Sequence, residues 1–351
     1  MKIDVTLGAP KCNLETLMNL ARLAERYGFD TVWTGDPSYE RDYVAGMTHV
    51  AQATKKVGVG LAVTNPYLRH PIKTALAVAS INEVSGGRAK FGIGAGSLET
   101  LRSLGLDWVR PAQRIDEMIT VSRNFLKGET VNYVTDTITV SDVKAWMTLM
   151  GPIPFYVGCR RPVMLRMAGK TADGVLMDNV PVEYLPYAIN RIRIGAESAG
   201  KEIDGFDVGN LNMFAVSEDR TEARRRAKRL LPMVFITITE RELEAIGLTK
   251  RDIEPIQTVL RRQTAEDFAK ASSLVTDYMV DKVATCGTPE DCVKRIKDYG
   301  KAGVTRMVLE LPTEPEYEPE EILKLAGEAI IPEFTEWGRN PLTTGTRSFS
   351  Q

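Results

Sequence analysis

The stretch Val57–Pro71, VGVGLAVTNPYLRHP, decides how the chain folds. Val57, Val59, Leu61 and Val63 alternate with Gly58, Gly60 and Ala62, the period of a buried strand with one bulky side. The small residues between them leave the backbone open to close approach by another group. The strand then breaks into Thr64, Asn65, Pro66, Tyr67, Arg69 and His70, a polar and aromatic turn bounded by prolines. Barrels and doubly wound sheets build their sites from strands that run into rigid polar loops. An ordinary buried strand with an ordinary turn has the same period, so the flanking sequence has to decide.

Toward the N-terminus, Lys2–Leu7 alternates as a first strand, and a helix over Leu14–Tyr27 opens at Asn13 and closes at Gly28. Phe29–Thr34 is a second strand ending at Gly35-Asp36-Pro37, followed by a helix over Val44–Thr54. Beyond Pro71 come a helix over Thr74–Val84 and a fourth strand, Ala89–Ile93, entering Gly94-Ala95-Gly96-Ser97. Strands alternating with helices in this way give βαβ units on a parallel sheet. Regularity lapses between Ser97 and Gly151, where a helix over Pro111–Phe125 and a hairpin-like piece over Thr130–Val140 suggest an insertion. Strands return at Ile153–Val157, Asp173–Met177 and Phe206–Val216. A helical excursion over Thr221–Tyr278, a helix opening at Thr288-Pro289-Glu290-Asp291 and a strand over Thr305–Leu311 bring the count to eight strands. The predicted fold is α/β, a (β/α)8 TIM barrel. It is expected as one domain over 1–335, with insertions at about 97–151 and 218–280 and a loosely ordered tail over 336–351.

Composition narrows the function. A net charge of −1 gives no electrostatic case for nucleic acid or an anionic membrane. The basic run Arg224–Arg229 follows Glu218, Asp219 and Glu222, as on the solvated face of an amphipathic helix. No apolar run is long enough to span a membrane. The four cysteines, Cys12, Cys159, Cys286 and Cys292, lack metal spacing, and no signal-peptide pattern opens the chain. Reduced thiols in a cytoplasm are expected. With two histidines in 351 residues, no metal site is expected either.

In a barrel, chemistry gathers at the carboxyl ends of the strands. Those ends are Gly35-Asp36-Pro37, Ala62–Asn65, Gly94–Ser97, Gly158-Cys159-Arg160-Arg161 and Asp178-Asn179. They are rich in glycine and backbone donors, which suits an anionic, planar ligand better than a hydrolytic triad. Gly94-Ala95-Gly96-Ser97 lacks the third glycine of a dinucleotide fingerprint and is either a phosphate cradle or a tight turn. Arg160 or Arg161 could pair with a phosphate through its planar fork. Asp36 is either a site carboxylate or a turn residue, and His70 and His49 are expected to be structural.

The pieces LARLAERYGFDTVWTGD, GLAVTNPYLRHP, INEVSGGRAKFGIGAG, PFYVGCRRPVMLRMAGKTADGVLMD and GTPEDCVKRIKDYGKAGVTRMVLELP resemble the bacterial luciferase-like superfamily. Across residues 1–312 they are most similar to its coenzyme F420-dependent branch, the 5,10-methylenetetrahydromethanopterin reductases. The resemblance implies an often dimeric TIM barrel that binds a deazaflavin ring at its mouth. It also implies a non-prolyl cis peptide in strand three, here Ala62–Val63, behind that ring. The residues near the ring would be Asp36, Ala62, Val63, Thr64 and Asn65. Gly94, Gly96, Ser97, Gly158, Cys159, Arg160, Arg161 and Asp178 would complete the cofactor contacts. The implied reaction is hydride transfer between reduced F420 and a pterin-linked one-carbon unit, which calls for a nearby acid. The reductases usually carry that acid at the end of strand one, where Val5-Thr6-Leu7 offers none. Asp36 and Glu99 are then the candidates. An FMN-dependent monooxygenase of the same superfamily and a non-catalytic flavin-binding barrel are the alternatives. A small pterin-type substrate and a homodimer or larger homo-oligomer are expected.

Overall fold

Eight parallel strands close on themselves in the computed structural model, which describes residues 1–8, 12–36, 39, 41–260, 264–311 and 318–335. They are β1 (Lys2–Thr6), β2 (Thr31–Thr34), β3 (Gly58–Thr64), β4 (Ala89–Gly94), β5 (Phe155–Gly158), β6 (Gly174–Asp178), β7 (Asp207–Val216) and β8 (Arg306–Glu310). Each pairs in parallel with its neighbours in chain order, and β8 returns to β1 with Lys2 opposite Arg306 and Thr6 opposite Glu310. Every strand expected from the sequence is present, within a few residues at each end. The expected tail over 336–351, and Pro37 beside Asp36, lie outside the described residues.

Helices α1 (Leu14–Arg26), α2 (Tyr43–Ala53) and α3 (Pro71–Val84) follow the first three strands. Asn13 caps α1, its Oδ1 accepting from Thr16 N at 2.8 Å, as its place before the apolar stripe requires. Helices α4 (Leu98–Ser103) and α5 (Pro111–Leu126) follow β4, with a hairpin of Val131–Val134 on Thr139–Val143. Val131 and Val140 of that hairpin share an apolar cluster with Val121 and Phe125. Helix α6 (Pro162–Thr171) lies against α7 (Leu185–Glu197), a helix not expected from the sequence. Gly169 and Gly195 let the two backbones meet: a Cβ on either would lie 2.0 or 1.9 Å from the carbonyl oxygen of Ile192 or Arg166.

The second insertion is α8 (Arg220–Leu230), α9 (Pro232–Thr237), α10 (Glu240–Ala245), α11 (Lys250–Val259), α12 (Ala265–Leu274) and α13 (Asp277–Val283). It has its own apolar cluster around Leu231, Phe235, Ile256 and Val283. The basic run on α8 is matched by acids: Arg226 pairs with Glu222 and Lys228 with Asp277, both at 2.8 Å. A short strand, Thr285–Gly287, extends the far end of β7 before α14 (Pro289–Lys301). Helix α15 (Pro319–Ala329) packs on α1 and α14.

The barrel interior is layered. At the amino ends of the strands, Arg306 reaches Asp4 at 2.5 Å and Asp207 at 2.8 Å. Tyr156 Oη donates to Asp207 at 2.8 Å, and Lys90 Nζ to Thr31 Oγ1 at 3.0 Å. Above this polar floor sit Trp33, Tyr156, Leu176 and Val308, with the Trp33 and Tyr156 rings edge to face at 5.3 Å. Gly60 makes room for that layer, since a Cβ there would lie 2.3 Å from the Trp33 ring. The close approach expected at Gly60 is made by the Trp33 ring and not by a ligand.

Strand β3 departs from simple alternation. Leu61 pairs with Phe91 but Thr64 with Ile93, so three steps on β3 match two on β4. The peptide Ala62–Val63 is cis within this bulge, as the family resemblance implied. One extra residue swaps the faces that follow it. Val57, Val59 and Leu61 pack outward in the main core, but Val63, expected beside them, joins Trp33 and Tyr156 inside.

Candidate functional site

The carboxyl ends of the strands meet at one open end of the barrel, where Ala62 and Val63 lie half-buried. Small neighbours hold Val63 there: a Cβ on Gly94 would lie 2.8 Å from Val63 Cγ2, and one on Gly158 would lie 3.1 Å from Cγ1. Val63, Ala62, Gly94 and Gly158 thus form a low apolar shelf. A flat ring fits such a surface, because Gly94 and Gly158 place no side chain beside Val63.

Beside the shelf, Thr64 Oγ1 donates to Asp36 Oδ2 at 2.6 Å, joining the ends of β3 and β2. Burial pushes the Asp36 carboxyl up; Thr64 opposes this and the Asp42 charge adds to it. Asn65 is buried, and its Oδ1 accepts from Tyr67 N at 3.0 Å. A Cβ on Gly96 would stand 3.2 Å from that of Asn65, and the φ of +71° at Gly96 suits glycine. Ser97 Oγ is occupied, accepting from Thr100 N at 3.4 Å as the cap of α4. Glu99 is exposed in the first turn of that six-residue helix. Neither histidine reaches the mouth as a base: His70 caps α3, accepting from Ile72 N at 3.3 Å, and His49 Nδ1 meets Ala45 O at 2.7 Å.

After β5, Cys159 N donates to Leu176 O at 3.2 Å, and burial pushes the Cys159 thiol up. The two arginines behave differently. Arg160 donates to the carbonyls of Asp178, at 3.0 Å, and Thr237, and its Nε lies 3.7 Å from the buried Glu242. It fastens the second insertion to the barrel mouth. Arg161 is exposed at the start of α6.

Glu310 was missed in the sequence, although Arg306, Val308 and Glu310 alternate toward one side of β8. It stands at the mouth in register with Thr6 on β1 and Met213 on β7. Burial pushes its carboxyl up to about 7, the charge of Asp178 adds to this, and Asn179 opposes it. Glu310, Asp178, Asn179, Met213, Arg229 and Phe268 border a cavity of about 490 Å³ between the strand ends and the second insertion. That volume holds a small organic ligand.

The family described as luciferase-like monooxygenase matches residues 1–306. The chain is 34% identical over 316 residues to a 5,10-methylenetetrahydromethanopterin reductase of Methanolobus tindarius, covering 90% of this chain and 95% of that one. It is 34% identical over 314 residues to the protein of the same name from Archaeoglobus fulgidus, with 89% and 94% covered. The solved coenzyme F420-dependent tetrahydromethanopterin reductase of Methanopyrus kandleri superposes with a TM-score of 0.87 at 29% identity, covering 95% of this chain and 99% of its own. The match runs from β1 through β7 and ends on Arg306, the first residue of β8, and with the cis-bulged β3 and closed parallel barrel it makes the chain a member of the luciferase-like family.

Proposed function

We propose that the chain is an F420-dependent oxidoreductase that transfers a hydride to a pterin-linked one-carbon unit, as a 5,10-methylenetetrahydromethanopterin reductase does. The observation that carries this reading is the 34% identity to proteins of that name over nine-tenths of both chains. When bound, reduced F420 supplies the hydride. The chain's part is to hold donor and acceptor carbons in near-attack contact.

In this reading the ring rests on Ala62 and Val63, with Asp36, Thr64 and Asn65 at its edge. Gly94, Gly96, Ser97, Gly158, Cys159, Arg160, Arg161 and Asp178 surround the remainder of the cofactor, and exposed Arg161 is the fork that takes an anionic group. Asp36 and Glu99 are the acids that the sequence offers. We extend the proposal to one domain over 1–335, a homodimer or larger homo-oligomer, and a cytoplasmic location. Among the described residues no helix is long and apolar enough to cross a membrane. The FMN monooxygenase alternative is weakened by His70, the histidine nearest the mouth, being engaged as a helix cap.

Titration with coenzyme F420 and, in parallel, with FMN tests the reading. Quenching of F420 fluorescence at micromolar concentration, with no response to FMN, is expected. Tight FMN binding without any F420 response would overturn it.

A further inference from the structure

We infer that Glu310 is the proton donor of this site, occupying from β8 the place that an acid on β1 would otherwise fill; the inference rests on the reductase reading. Opening the methylene-bridged ring of such a pterin needs a proton at the amine nitrogen that leaves the methylene carbon. That C–N bond breaks with its electron pair kept by nitrogen, and the carbon becomes an iminium on the other nitrogen. The hydride then reduces it to methyl as the deazaflavin is oxidised, and the Glu310 carboxylate regains its proton from solvent.

Three observations point to Glu310. Thr6 closes β1 without an acid, and the residue paired with it across the β1–β8 ladder is Glu310. In a parallel ladder, paired residues project to the same side, so the carboxyl stands over the same part of the mouth. Thr6, Glu310 and Met213 form one half-buried row across three strands.

Second, Glu310 borders the cavity where strand ends meet the second insertion, so a ligand there can reach it. The ionisable groups facing it are Asp178 on β6 and Arg229 on α8, both bordering the same cavity. Asp178 is itself engaged by Asn179 Nδ2 at 2.7 Å, and Asn179 Oδ1 accepts from Met213 N at 2.8 Å, which fixes the wall beside Glu310. Burial and the Asp178 charge favour the protonated carboxyl up to about pH 7, the state a donor needs near neutrality.

Third, the other candidates are less suited. Asp36 accepts the Thr64 hydroxyl at 2.6 Å and does not border the cavity that Glu310 lines. Glu99 is exposed on α4, where water competes for its proton.

The test uses the full chain with reduced F420 and 5,10-methylenetetrahydromethanopterin. Glu310→Gln should lower kcat by about 100-fold or more, with F420 affinity by fluorescence unchanged. The fall of kcat above about pH 7 should vanish with it, whereas Asp36→Asn and Glu99→Gln should keep that limb whatever their rates. Glu310→Asp should restore part of the rate and the limb. In the chain without cofactor, the carboxylic acid infrared band removed by Glu310→Gln should titrate near neutrality. An active Glu310→Gln, a limb surviving in it, or a band titrating in the ordinary glutamate range would overturn the inference and leave the reductase reading standing. A wild-type chain that binds F420 but reduces no one-carbon pterin would instead overturn the reductase reading, and this inference with it.

Discussion

Gly60 and Arg306 show how single residues set the barrel's interior. Gly60 has no side chain because the Trp33 ring fills its place, with a Cβ separation of 2.3 Å if one were added. Gly60→Ala should therefore cost about 1–3 kcal/mol by overpacking, measured as a lower urea midpoint. Arg306 is 1% exposed and the partner of both Asp4 and Asp207. Arg306→Met removes one member of a buried charge cluster, and the loss of stability should be about 3–5 kcal/mol in the same experiment. The sequence showed the glycine and the arginine but not their partners: Trp33 lies 27 residues from Gly60, and Asp4 and Asp207 lie 302 and 99 residues from Arg306. Asp36 was legible as a strand-end carboxylate, yet its bond to Thr64 across two strand ends was not.

At the scale of elements, caps follow local rules and clamps do not. Thr288 and Asp291 form a capping box on α14, with Thr288 N donating to Asp291 Oδ2 at 3.0 Å. The motif Thr288-Pro289-Glu290-Asp291 announced it, because all four residues act within one turn. Thr288→Ala should lower stability by about 1 kcal/mol in chemical unfolding. The clamp from Arg160 to Asp178, Thr237 and Glu242 joins β5, β6 and α9–α10, which no local rule foresees. Arg160→Ala leaves Glu242, 0% exposed, without its cation. Hydrogen exchange over 232–245 should speed up markedly, with exchange in β1–β4 unchanged. Equal acceleration in β1–β4 would show that the clamp stabilises the whole barrel and not its insertion.

For the whole molecule, the buried ionisable groups make stability depend on pH with opposite signs. Burial raises the Asp207 carboxyl, but Arg306 and Thr305 overcome this and hold it at about 2, below its ordinary 3.8. Its stabilisation, about 2 kcal/mol, is complete above pH 4 and lost as pH falls through 2. Burial, and then Arg306, lower the Lys90 ammonium to about 8 from 10.5, so its contribution grows as pH rises from 8 to 10.5. Glu310, held up at about 7 against 4.5, contributes stability that is lost as pH rises from 4.5 to 7. Urea midpoints against pH should resolve the last window, and Glu310→Gln should flatten it.

What the sequence determined by itself was everything carried by short-range periodicity. The eight strands, most of the helices between them, the caps at Asn13 and Thr288, and the strand ends that make the mouth follow from residues close in the chain. The tertiary structure decided what depends on register. A one-residue bulge in β3 turned Val63 inward, because side chains alternate and an extra residue exchanges the faces. Closure of β8 on β1 set Glu310 beside Thr6, a pairing across 304 positions that no local pattern encodes. The helical insertion then walled the cavity beside that carboxyl and left it half-buried. Burial is a property of the assembled barrel, so the acid most suited to donate a proton became visible only once the ring of strands had closed.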